Sequence, residues 1–298
     1  MMSWDAYKLT FQMQSPLHSG YAKVGNIQQT RLYVTGRMLW GALTSQITRL
    51  KDSTNYVQVG KDVQNYLRTS YFFPCLDREG NRPILPQVQN HQSGYSVDCA
   101  YLKASKVDCW LITSYASTAI NTGTFAAEEG SLHEVELISH RFLNNVNENG
   151  ISINAGDPVY LTGIFFLNKD APDDLKNSWK KIIKSFQIGG ERSYGFGQLS
   201  LSDEHHPAKE LFGYDLNLSG YDPGVIVGEN KPVLAHTVAE DGLKMGGMLE
   251  PFLGRETSED GQFGKRLSEV KPCWAPGAVT RKSTSFFIKE KGIWEVQI

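Results

Sequence analysis

Phe186-Gln187-Ile188-Gly189-Gly190-Glu191-Arg192-Ser193-Tyr194-Gly195-Phe196-Gly197-Gln198-Leu199 is the stretch from which the fold is read. It sets four glycines, an arginine, a serine and two aromatics within the nine residues 189–197. Glycine reaches positive φ and lets another backbone approach closely. A cluster of them predicts a loop whose amides can face a polyanion. Dinucleotide and P-loop fingerprints follow a strand and open a helix. Here the apolar spacing predicts the reverse, a helix before the loop and a strand after it, and no Gly-Lys-Ser/Thr triplet is present. Those patterns disfavour a nucleotide-phosphate enzyme and favour a loop that holds a nucleic-acid backbone. A tight turn with a solvated Arg192 is the plain alternative.

Outward from the loop, Leu175, Trp179, Ile182, Ile183 and Phe186 recur on one helical face, with Lys176, Lys180, Lys181 and Lys184 on a solvated one. Asp173 and Asp174 open that helix, predicted over 173–186, where acids complement its dipole. A strand is predicted at 198–202. Upstream, the run at 158–167 and the alternation at 132–138 predict strands, as do Val107–Ile112 and the alternating 7–14. Thr35-Gly36 opens a helix along which Leu39, Ala42, Leu43, Ile47 and Leu50 share a face. Residues 51–105, broken by Pro74, Pro83, Pro86 and Gly94, predict an insertion outside the central sheet, with a short helix near 60–69. The order β–α–(insertion)–ββ–α–β predicts an α+β, ferredoxin-like (split βαβ) fold. Its boundaries are 1–206, with the insertion at about 51–105. Residues 207–298 then form a β-rich extension or second small domain, with short strands at 231–237 and 285–289.

At 298 residues the chain buries a core without staples. Its 30 Lys+Arg against 32 Asp+Glu exclude a strongly basic nucleic-acid coat, though not a local basic groove. Cys75, Cys99, Cys109 and Cys273 form no CxxC pair, so zinc is disfavoured and buried free thiols are expected. No apolar run reaches membrane-spanning length. Met1–Asp5 lacks the basic and apolar regions of a signal peptide, so a cytoplasmic protein without a membrane partner is expected.

Two passages together resemble the RAMP superfamily of CRISPR-associated proteins. "LTFQMQSPLHSGYAKVGNIQQTRLYVTGRMLWGALTSQITRL" resembles its first strand, ending in Pro-Leu-His-x-Gly, and its first helix, with Thr35 where the family usually has proline. "FQIGGERSYGFGQLSL" is similar to its Gly-rich loop, and "EEGSLHEVELISHR" to the region before its thumb-like hairpin. The resemblance covers most of residues 7–50 and 118–202. It implies one of three roles. Guide-processing endoribonucleases carry an early histidine, here His18, and a loop near the C-terminus, whereas about a third of this chain follows the loop. Cleaving backbone subunits carry an aspartate between first strand and first helix, and residues 19–35 hold no carboxylate. The best match is the non-catalytic subunit that holds the 5′ repeat-derived tag of the guide RNA (crRNA) in type III effectors, with a non-cleaving backbone subunit along the guide RNA or a metal-independent repeat-processing endoribonuclease as the alternatives. The tag-holding subunit would contact a large signalling subunit and a backbone subunit, and target RNA indirectly.

On that reading Gly189, Gly190, Gly195 and Gly197 hold the RNA backbone, and Arg192 and Ser193 donate to phosphate. Tyr194 stacks on a base, and Phe196 is a stacking or core residue. Lys23, Arg31 and Arg37 flank the first helix's start, where amides and dipole favour phosphate. His140 and Arg141 would meet the guide near the thumb, and His18 is an RNA contact or a structural hydrogen-bond partner. His205-His206 lacks a third ligand at metal spacing. The pairs Glu134/Glu136 and Glu128/Glu129 receive no chemistry, and no metal or cofactor is expected.

Overall fold

The computed structural model describes residues 3–202, 206–258, 262 and 264–297. Its spine is β1 (Trp4–Met13), in which Leu9, Phe11 and Met13 enter one apolar cluster while Trp4 and Ala6 enter another. That two-residue alternation is the pleat of a strand buried on both faces. A hairpin of β2 (Gly20–Val24) and β3 (Ile27–Thr30) follows, then α1 (Gly36–Leu50). Thr35 caps α1, its Oγ1 accepting from the Met38 amide at 3.4 Å. A hydroxyl thus does at this helix entry what a proline cannot.

The segment read as an insertion outside the sheet is partly inside it. Its helix α2 spans Tyr56–Tyr66, and β4 (Leu67–Thr69) and β5 (Phe73–Cys75) both pair with the central strand introduced below. Three-residue strands leave no periodicity to read. Pro74, opposite Leu161, is placed at the sheet's margin, where a missing amide is tolerated. Then β6 (Leu85–Gln89), β7 (Gln92–Val97) and β8 (Ala100–Lys103) make a separate meander. The strand expected at 107–112 is instead α3 (Ala104–Leu111) followed by β9 (Ile112–Ser117). Val107, Trp110 and Leu111 are all buried, and their i, i+3, i+4 spacing is helical.

The chain continues through β10 (His133–Ile138), antiparallel to β9, and the short hairpin β11 (Val146–Glu148) and β12 (Ile151–Ile153). The central strand β13 (Tyr160–Asn168) runs antiparallel to β1 from Trp4↔Asn168 to Gln12↔Tyr160. α4 covers Asp173–Ile182, shorter than expected, because Ser185–Gln187 forms β14 against β15 (Gln198–Leu201). Phe186 is therefore a strand residue, buried beside Phe11 at 6.2 Å. The strand order is β14-β15-β1-β13-β4. α1 and α4 cover one face, where Trp179 stacks on Phe165.

His206–Pro207 pairs with β1, and the other face meets the described residues of 208–297. These build an eight-stranded sheet whose Val225, Val227, Phe286 and Trp294 share a core with Trp4, Phe73 and Phe166. Of the strand expected at 231–237 only Thr237–Val238 forms, with an isolated bridge at Pro232, while Thr284–Ile288 matches the later one. Arg68 of β4 joins the two layers: its side chain lies 2.8 Å from Asp222, which also holds Lys289 at 2.7 Å. All four cysteines are free, but Cys99 and Cys109 are exposed, not buried as expected. No helix among the described residues is long and apolar enough to cross a membrane.

Candidate nucleic-acid interface

The glycine-rich loop joins two antiparallel strands, β14 and β15, and folds back on the end of β1. Gly190 N donates to the His18 carbonyl at 3.1 Å, Gly197 N to Pro16 at 2.7 Å, and Gly195 N to Arg192 at 3.0 Å. These amides are engaged within the protein, so the expectation that they cradle phosphate is corrected. The glycines serve close approach instead. A Cβ on Gly189 would stand 2.6 Å from Leu17 Cδ1, and one on Gly190 2.8 Å from His18 Cδ2. Gly197, at φ +77°, has no room for a Cβ against the Ile188 carbonyl. Gly197→Ala is expected to cost about 2 kcal/mol, from positive φ plus collision with backbone. A urea-unfolding midpoint equal to the parent's would refute this packing.

What the loop offers outward is side chains. Arg192, Ser193 and Tyr194 form one 3-10 turn between left-handed Glu191 (φ 54°) and Gly195 (φ 84°), and all three are exposed. Among the described residues the Arg192 guanidinium has no hydrogen-bond partner. Tyr194 is 51% exposed and stacks on Phe196 at 6.2 Å. Tyr115 of β9 closes the group, 5.8 Å from Tyr194 and 5.7 Å from Phe196. An unpaired fork of donors beside an exposed aromatic platform suits phosphate and base together. Sequence reasoning missed Tyr115, since the strand that carries it was placed too early in the chain.

The remaining candidates are not brought to this turn. His18 is 6% exposed, packed under Gly190, with Nδ1 2.8 Å from the Glu136 carbonyl. That bond puts the proton on Nδ1 and makes the ring a structural partner, not a surface contact. Lys23 is exposed on the β2–β3 hairpin. Arg37 binds Glu256 at 2.7 Å and Ser268 at 2.9 Å, and lies over the Phe252 ring. Arg141 donates to the Gly156 carbonyl at 2.8 Å, and His140 is held below the ordinary imidazole value by burial and by Arg141. His205 lies outside the described residues, and among those described no three side chains are grouped to hold a metal.

Arg31 binds Glu250 at 2.8 Å, and Glu250 accepts from His236 Nε2 at 2.5 Å while His236 Nδ1 meets the Tyr71 hydroxyl at 2.7 Å. Burial pushes the Glu250 carboxyl up, but His236 and Arg31 outweigh it and hold it at about 2. Burial also keeps His236 below its ordinary 6.5, against the pull of Glu250. Both folded-state values lie below the unfolded ones. The stability they contribute is therefore complete above the unfolded values and is lost as pH falls through the folded ones. Stability should begin to fall below the ordinary imidazole value of 6.5. His236→Gln should flatten that first decline, read as urea midpoints against pH. Identical slopes in the two proteins would contradict the network.

The sequence profile of the RAMP superfamily matches residues 10–200, from within β1 through the loop to β15. This chain belongs to the RAMP superfamily. No curated protein matches this RAMP chain. Among solved structures it is similar to a chain of the type III-B Cmr-beta complex bound to cognate target RNA and AMPPnP, in state 1. The TM-score is 0.56 at 12% identity, covering 92% of this chain and 86% of that one. A chain of the same complex bound to cognate target RNA gives 0.54 at 11%, with the same coverage. At such identities the likeness is one of fold. The RAMP chain is a mixed α+β, strand-rich protein.

Proposed function

We propose that this RAMP chain is a non-catalytic subunit of a type III CRISPR effector that holds the 5′ repeat-derived tag of the guide RNA. It docks on the large signalling subunit and on the first backbone subunit, meets target RNA only through the guide, and works in the cytoplasm. The observation that carries the reading is the Arg192–Tyr194 turn, with an exposed, unpartnered guanidinium beside the Tyr115–Tyr194–Phe196 platform. The order β15-β1-β13-β4, with α1 and α4 on one face, supports the ferredoxin-like arrangement. The likeness to chains of RNA-bound Cmr-beta supports the type III assignment. The lack of any carboxylate in residues 19–35 supports a non-cleaving role, and so does the burial of His18.

The test is to purify the tagged protein from cells that express a CRISPR array and sequence the RNA it retains. Retained RNAs should share a repeat-derived 5′ end. A footprint confined to spacer sequence would instead favour a backbone subunit. Specific metal-independent cutting of repeat RNA, abolished by His18→Ala, would favour an endoribonuclease.

A further inference from the structure

Alongside the glycine-rich loop lies a groove of about 470 Å³. One wall is α1 and α2, and the other is the hairpin of Arg255–Glu256 with Arg266–Leu267. Arg37, Lys61, Arg192, Arg255 and Arg266 line it, and Glu256 is the lone carboxylate among its described lining residues. That carboxylate is already held by Arg37 at 2.7 Å and Lys291 at 2.5 Å, and Lys61, Arg192 and Arg255 have no ion-pair partner among the described residues. Lys61 is exposed and has no partner among the described residues. Trp40 and Tyr56 add half-buried rings to the same walls.

The groove's size falls in the range of small-ligand sites, and its charge selects an anion. Arg192 belongs both to this lining and to the exposed turn, so the two surfaces are continuous. We infer that the groove carries the RNA strand onward from the glycine-rich loop. Lys61 and Arg255 there take successive phosphates. The inference rests on the RNA-binding role proposed above and adds α2 and the C-terminal hairpin to it.

The test compares the full-length chain with Lys61→Glu/Arg255→Glu and, as a milder pair, Lys61→Gln/Arg255→Gln. The probes are fluorescent single-stranded RNAs of about 8 and about 16 nucleotides, spanning the usual range of site sizes. The charge-reversed pair should weaken binding of the longer probe at least tenfold and flatten its salt dependence by about two phosphate contacts. The shorter probe should lose less, and melting temperatures should be unchanged because both lysine and arginine are exposed. If Arg192→Ala weakens binding and both groove pairs leave it intact, the strand path is overturned and the loop assignment survives. No RNA binding by the parent chain, or none sensitive to Arg192, overturns both. Competition by AMP or by an acidic peptide as effective as by RNA would overturn the strand path.

Discussion

Arg192→Ala combined with Tyr194→Ala is expected to weaken tag-RNA binding by about two to four orders of magnitude while leaving the fold intact. A charge-assisted hydrogen bond contributes about 1.5–3 kcal/mol, and stacking on one base about 1–3 kcal/mol. Their sum, about 2.5–6 kcal/mol, converts to about two to four orders of magnitude at about 1.4 kcal/mol per tenfold change. Both side chains are exposed, so thermal stability should move by less than about 0.5 kcal/mol. Arg192→Lys keeps the charge but loses the planar fork, and should fall between parent and double variant. Equilibrium titrations at fixed salt read all of these. Affinity unchanged in the double variant would remove the turn from the interface.

The largest stability effect is expected at Arg68. Its side chain is 2% exposed, its partner Asp222 3% exposed, and they lie 2.8 Å apart between β4 and the C-terminal layer. The guanidinium also sits 5.3 Å from the Trp4 ring centroid and bonds the Gln64 carbonyl. Arg68→Ala strands Asp222 with Lys289 as its remaining cation, 2.7 Å away and 26% exposed. Removing one member of a buried pair costs about 3–5 kcal/mol. Arg68→Met with Asp222→Leu removes both charges and should cost less than the two single changes combined. Urea unfolding measures each. A loss below about 1 kcal/mol for Arg68→Ala would mean that the pair does not hold the layers together.

The order of the long elements was legible because β1, α1, β13 and α4 each carry a strong period. Leu9, Phe11 and Met13 alternate over enough residues to exclude other readings, as do Leu39, Leu43 and Ile47 at helical spacing. Phe186 misled, because its place beside Ile182 and Ile183 suits a helix until the pairing with Leu199 makes it a strand residue. β4 and β5 were invisible for a related reason: three residues have no period, and only β13 makes them strands. At the site, Arg192, Ser193 and Tyr194 were legible because a local turn presents them. Gly190 and Gly197 were found but misassigned, since His18 and Pro16 take their amides only once β1 and the loop are folded together. Tyr115 and Lys61 reach the site through tertiary packing alone, which no local pattern encodes.

Site-specific crosslinking of the assembled particle, with 4-thiouridine placed in the guide's 5′ tag, tests the central claim most directly. Adducts on the peptide that carries Tyr194, lost when Arg192 is changed to alanine, are the predicted result. Adducts confined to other subunits, or to the spacer region of the guide, would contradict it.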